Sequence, residues 1–213
     1  YGPELVGYPQ LGYAYYEDSY YDLRFGHFEE AAQKAKRSID IEAIAGKDRL
    51  MFRAMSRSQL AKIYVRQGLY ELAIQTAEQA LEELQESEVK SEETHTRINR
   101  FRGNVVHVLG EAYLNLGDIE QANHHFEQFR EQYGKANLVM GMELTHARLA
   151  LAAGDAQAAL SKTERFRSDF LNVRDGEMWE EYYRITGDAY ALLDNSVSAV
   201  AHYKKVIPED TRE

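Results

Sequence analysis

One turn, recurring five times, limits what this chain can fold into. Four segments align on a glycine: RFGHFEEAAQKAKRSI, AKIYVRQGLYELAIQTAEQAL, VVHVLGEAYLNLGDIEQANHHF and ARLALAAGDAQAALSKTERF. A fifth, YRITGDAYALLDNSVSAVAHYKKVI, places Asp194 at the same point. The anchors Gly26, Gly68, Gly117, Gly154 and Asp194 are spaced by 42, 49, 37 and 40 residues. A period of this size is the mark of stacked supersecondary units rather than of one irregular core.

The chemistry around each anchor repeats. Alanine stands five places on, at Ala31, Ala73, Ala122, Ala159 and Ala199. A small residue stands seven places before, at Ser19, Ala61, Gly110, Ala147 and Gly187. A large or apolar residue stands two places on, at Phe28, Tyr70, Ile119 and, weakly, Ala156, with Ser196 departing. Tyrosine stands four before at Tyr64, Tyr113 and Tyr190, and Asp22 takes that place in the first unit. A glycine in the left-handed conformation ends one helix. The small residues let two helices of a hairpin approach closely, and the aromatic residues fill the space between hairpins. With 3 prolines among 213 residues and no alternating valine or isoleucine run, the class is all-α.

These positions resemble the tetratricopeptide repeat, whose signature has the same small, aromatic, glycine and alanine places. The resemblance covers about residues 11–207 and is strongest in the third unit. The family period is 34 residues; spacings mostly near 40 resemble its long-repeat subclass, found in kinesin light chains, spindle-orientation adaptors and regulators of the maltose-activator type. The resemblance implies a right-handed superhelix, an α-solenoid of about five antiparallel helical hairpins. Its expected units are 11–46, 48–90, 95–134, 137–172 and 174–207, after an N-terminal segment 1–10 and before a tail 208–213. First helices are expected at 11–25, 48–67, 95–116, 137–153 and 174–193, second helices at 27–45, 69–88, 118–133, 155–171 and 195–207. The polar stretch 86–95 reads as a helix end or a solvated loop, and Pro208 as the last stop.

The resemblance also implies that first helices line a concave groove. In this register the groove carries Arg57, Ser58, Lys62 and Arg66 in the second unit, and Asn104, His107, Glu111 and Asn115 in the third. Arg148 and Arg184 follow in the fourth and fifth. Charge is partitioned: 48–67 has five bases against Asp48, and 69–88 has six glutamates and no base. A basic row facing an acidic segment is one reading, since the planar fork of arginine bonds both carboxylate oxygens. Pairing of those arginines with neighbouring helices is the other. The family's clamp for peptide C-termini is not reproduced. Glu82 and Glu83 read as a solvated outer face.

Several functions are excluded or disfavoured. With no cysteine there is no disulfide, thiolate zinc site or cysteine nucleophile. A net charge of −10 disfavours nucleic acid. No apolar run is long enough to span a membrane. No phosphate loop, nucleophile elbow or zinc-protease motif is present, so no enzyme activity and no cofactor are expected. His107 and Glu111 lie four apart on one face but lack further ligands, and the adjacent His124 and His125 point to different faces, so no metal site is expected. His146 reads as a core histidine. Seven of the fifteen tyrosines fall in the first 21 residues (Tyr1, Tyr8, Tyr13, Tyr15, Tyr16, Tyr20 and Tyr21), as packing of the first hairpin or as a partner surface.

The expected function is a non-catalytic protein-interaction scaffold that holds a protein or peptide segment, acidic in character, in its groove. The alternative is a sensor domain of a larger regulator that binds a small ligand or short peptide. Absence of cysteine and of a leader pattern points to the cytoplasm, and a start at Tyr rather than Met to a piece of a longer protein. Exposed repeat ends offer a route to self-association.

Overall fold

The computed structural model describes residues 9–87, 89, 91–133, 139–169 and 176–206. Tyr1, Tyr8, Pro208 and the tail 208–213 lie outside them. Among the described residues there are ten α-helices and no strand: α1 Pro9–Arg24, α2 Phe28–Ile44, α3 Leu50–Arg66, α4 Tyr70–Glu86, α5 Glu92–Leu116, α6 Ile119–Tyr133, α7 Val139–Ala152, α8 Ala156–Asp169, α9 Gly176–Leu192 and α10 Ser196–Val206. The chain divides into two compact units between Tyr133 and Gly134. The first holds hairpins α1–α2, α3–α4 and α5–α6, the second α7–α8 and α9–α10.

The five anchors make one kind of turn. Gly26, Gly68, Gly117 and Gly154 have φ of 76–84°, and Asp194, at 56°, has positive φ without being glycine. In each turn the N–H after the anchor donates to the carbonyl four places before it, at 2.8–3.0 Å: His27 to Asp22, Leu69 to Tyr64, Asp118 to Tyr113, Asp155 to Ala150 and Asn195 to Tyr190. That bond satisfies a carbonyl the ending helix would otherwise leave open. In the last three turns the same residue also caps the next helix. Asp118, Asp155 and Asn195 accept the N–H groups of Gln121, Ala158 and Ser198 at 2.9–3.1 Å.

Packing inside each hairpin follows a size rule. The alanines five places after the anchors are 0–3% exposed. Gly110 lies against Phe126 and Gly187 against Tyr203; a Cβ on either glycine would fall 2.5 Å from the facing ring. Where the same position is Ser19, Ala61 or Ala147, the facing position is the smaller Ala35, Ala77 or Thr163. A ring on the second helix thus faces a glycine on the first, and a first-helix side chain with a Cβ faces a smaller partner, so the two do not clash.

Three boundaries differ from expectation. α1 begins at Pro9, a residue suited to the first helical position, where its missing N–H costs nothing. Lys47–Arg49 form a 3-10 turn, so α3 starts at Leu50. The stretch 86–95 is divided: α4 ends at Glu86, and Ser91 caps α5 by accepting the N–H of Thr94 at 3.1 Å. α5 thus runs 25 residues, and this long first helix accounts for much of the spacing of 49.

Candidate functional site

In the first unit α3 touches both α1 and α5, while each second helix packs on the first helix of the next hairpin. The first helices α1, α3 and α5 therefore form a row of their own.

The basic residues of α3 are exposed on that row only in part. Arg53 Nε and Arg57 Nε both donate to Glu83 Oε1 of α4, at 2.5 and 2.8 Å, and Arg57 Nη1 donates to Gln79 Oε1 at 2.9 Å. Glu83 is 7% exposed, which corrects its reading as a solvated outer residue. It sits on the buried stripe of Ala73, Thr76, Ala77, Ala80 and Leu84, and that helical spacing was the overlooked signal. One carboxylate against two guanidinium groups leaves this part of α3 with net positive charge. Arg57 is thus turned onto its hairpin partner. Arg102 is similarly engaged, donating to the Leu84 carbonyl at 3.0 Å.

Arg49 closes a second buried pair. Its Nε and Nη2 donate to the two oxygens of Glu42 at 2.6 and 2.9 Å, and Glu42 is 1% exposed. The same guanidinium lies over the ring of Phe52 at 3.9 Å, and Arg97 of α5 approaches that ring at 5.8 Å. Arg97 also acts electrostatically on Tyr13 of α1. Phe52 is half-buried, with cations from two elements at its faces. Neither Phe52 nor Glu42 was singled out from sequence.

α1 adds a wall of tyrosines. Tyr13 and Tyr16 have ring centroids 5.9 Å apart, and Tyr13 and Tyr20 are exposed. By register, Tyr13, Tyr16 and Tyr20 stand where Met55, Ser58 and Lys62 stand in α3. Burial pushes the Tyr16 phenol up to about 12, with Glu17 adding to it. A hydrogen bond to Glu17 raises that of Tyr13.

The remaining expected groove residues are distributed unevenly. Ser58, Lys62, Asn104 and Glu111 are half-buried, and Arg66 and Asn115 are exposed. Asn115 donates to the Glu111 carbonyl of its own helix at 2.7 Å. Arg66 lines an open cleft of about 660 Å3 that also holds Phe28, Glu29, Glu30 and Leu69, so two acids share the cleft with it. His107 packs on Phe126 and Phe129, at 5.5 and 5.4 Å between centroids, and belongs to the α5–α6 interface. Arg148 and Arg184 stand in the second unit, Arg148 with Glu181 at 3.6 Å and Arg184 exposed.

The histidines are used in packing. His125 stacks on Tyr113 at 5.4 Å, and His124 meets it edge-on at 5.3 Å, so the two rings touch rather than diverge to separate faces. Burial lowers the His125 pKa, and the neighbouring His124 lowers it further. His146 is half-buried. Among the described residues no group of three or more histidine, aspartate or glutamate side chains is placed to hold a metal, and no helix is long and apolar enough to cross a membrane.

This geometry defines a helical-repeat scaffold: hairpins of fixed register presenting a row of first helices. Residues 56–83 and residues 109–136 each match a family model described as tetratricopeptide repeat. These two segments are accordingly tetratricopeptide repeats, one in the α3–α4 hairpin and one in the α5–α6 hairpin. The fold of the chain is similar to that of BtubC (BKLC) from P. vanneervenii, with 16% identity, a TM-score of 0.61, and coverage of 88% of this chain and 75% of that one. It is also similar to the nearly identical TPR-like repeats of a putative kinesin light chain from Podosopora anserina, with 18% identity, a TM-score of 0.60, and coverage of 93% and 94%. Likeness at these identities speaks for the fold alone. No curated protein matches the chain in sequence.

Proposed function

We propose that the first-helix row of residues 9–133 holds an acidic segment of a partner protein. The observation that carries this reading is the Phe52 ring, approached by the guanidinium groups of Arg49 and Arg97 beside the tyrosine wall of α1. Lys62 adds a half-buried base further along α3. A carboxylate lying over this face meets cations whose stems are already fixed by Glu42 and Glu83, so little side-chain order is lost on binding. The tyrosines supply apolar contact area with few rotors. The proposed activity is binding, with no catalytic step.

The test is selection from a peptide-display library on the wild-type chain and on Lys62→Glu with Arg97→Glu. Acidic peptides should be enriched on the wild type, lost on the variant and weakened by salt, with far-UV circular dichroism unchanged. Equal enrichment on both proteins would remove the basic row from the mechanism.

A further inference from the structure

α1 and α10 each expose an apolar face at register positions that other hairpins bury. Five places before the anchors stand Tyr21, Ile63, Ala112, Leu149 and Ala189; the last four are at most 7% exposed, while Tyr21 is 57% exposed. Six places after the anchors stand Ala32, Ile74, Asn123, Leu160 and Val200. Ala32, Ile74 and Leu160 pack into core clusters, and Asn123 is exposed but polar. Val200 is apolar and 50% exposed. Three places after the anchors the first four hairpins carry Glu29, Glu71, Glu120 and Gln157, whereas the last carries Val197, 84% exposed.

The first unit shows what these positions do when hairpins stack. Ile63 and Ala112, five before their anchors, share one core cluster with Ala32 and Ile74, six after theirs. Ten after meets four before. Lys36 Nζ lies over the Tyr64 ring at 5.7 Å, and Glu78 is within electrostatic reach of Tyr113. Carried over to the two exposed faces, this register sets Tyr21 on Val200 and Asp22 opposite Lys204. The charges are complementary. α10 carries Lys204 and Lys205 with no acid; α1 carries Glu17, Asp18 and Asp22 against Arg24, and Lys34 of α2 lies 3.7 and 2.7 Å from Asp18 and Asp22, so this group keeps a net negative sign.

We propose that the chain self-associates head to tail, α1 of one copy docking on α10 of a second as α3 docks on α2 and α5 on α4. The two surfaces differ, so the contact is heterologous and each copy offers one of each.

Sedimentation equilibrium on the full chain tests this with Tyr21→Glu and Val200→Glu, both at exposed positions and checked for helicity. The wild-type weight-average mass should rise with concentration, and each variant alone should stay at monomer mass. An equimolar mixture of the two variants should form dimers, because it retains one intact α10 face and one intact α1 face. A monomeric wild type, variants that associate like wild type, or a mixture that stays monomeric would each overturn the proposal.

Discussion

In the unit of α1–α6 the hairpins meet mainly through alanine, valine, isoleucine and leucine, with Tyr64 and Tyr113 each at one junction, and charged side chains are drawn inside: Glu42 under Arg49, and Glu83 under Arg53 and Arg57. In the unit of α7–α10 rings hold the meeting of α8 with α9. Phe166 lies 5.4 Å from Trp179 and 5.9 Å from Tyr182, and Trp179 lies 5.3 Å from Tyr182. The pairs that join its helices run at 3.4–3.7 Å, for Arg165–Glu143, Arg148–Glu181 and Lys162–Glu143, while Arg167–Glu164 within α8 is at 2.8 Å. One repeat register thus accepts two ways of joining hairpins. The mainly aliphatic junctions of the first unit leave its positive charge and the tyrosines of α1 for a face, while the second unit spends its rings on its own core.

The sharpest way to break this contrast is Phe166→Ala, which removes a fully buried ring and should cost about 3–5 kcal/mol. Trp179 is the chain's single tryptophan, so its fluorescence in a denaturant titration reports on α7–α10. That transition should move to lower denaturant, with less change in the far-UV signal shared with α1–α6. Equal movement of both would mean that the contrast in packing has no counterpart in stability.

Next in size is Gly110→Ala, which drives a methyl into Phe126 and should cost about 1–3 kcal/mol. Phe126→Ala alone removes a fully buried ring and should cost about 3–5 kcal/mol, but the double variant should cost less than the sum of the two singles, because it recreates the small pair of Ala61 and Ala77. Thermal melts of the single and double variants check the size rule. An additive double variant would contradict it.

Glu83→Gln leaves two guanidinium groups without their carboxylate and should cost about 1–3 kcal/mol. Glu143→Gln, whose bonds are longer, should cost about 0–1 kcal/mol. Equal losses in chemical denaturation would erase the distinction between the two charge networks.

The smallest expected effect is a pH dependence. The folded His125 pKa is depressed below the ordinary value of about 6.5. The unfolded chain therefore takes up the proton first. Stability from this site is complete above about pH 6.5 and declines as pH falls from there toward the folded pKa. His125→Gln should flatten that part of a stability–pH curve measured by urea unfolding; an unchanged slope would show that His125 does not contribute.

The turns were the most legible part of the sequence, because a positive φ and a six-residue bond need particular residues at Gly26, Gly68, Gly117, Gly154 and Asp194. Helix ends followed to within three residues. The site was less legible. Sequence placed Arg57 on an inner helix but not which way its guanidinium turns, and Glu83 draws it toward α4. His107 shared a face with Glu111, yet the rings of Phe126 and Phe129 claim it. Both outcomes depend on the facing helix, and the repeat pattern of one helix does not encode its partner's side chains. Phe52 escaped notice because an aromatic residue on a helix reads first as core, and only the structure brings Arg97 from another hairpin to it.

The decisive measurement is an amide NMR titration of the chain with an acidic peptide recovered from the selection. Binding on the first-helix row requires shift changes clustered on α1, α3 and α5, around Tyr13, Phe52, Lys62 and Arg97, that shrink as salt is raised. Changes centred on α2, α4 and α6, or confined to α7–α10, would contradict it.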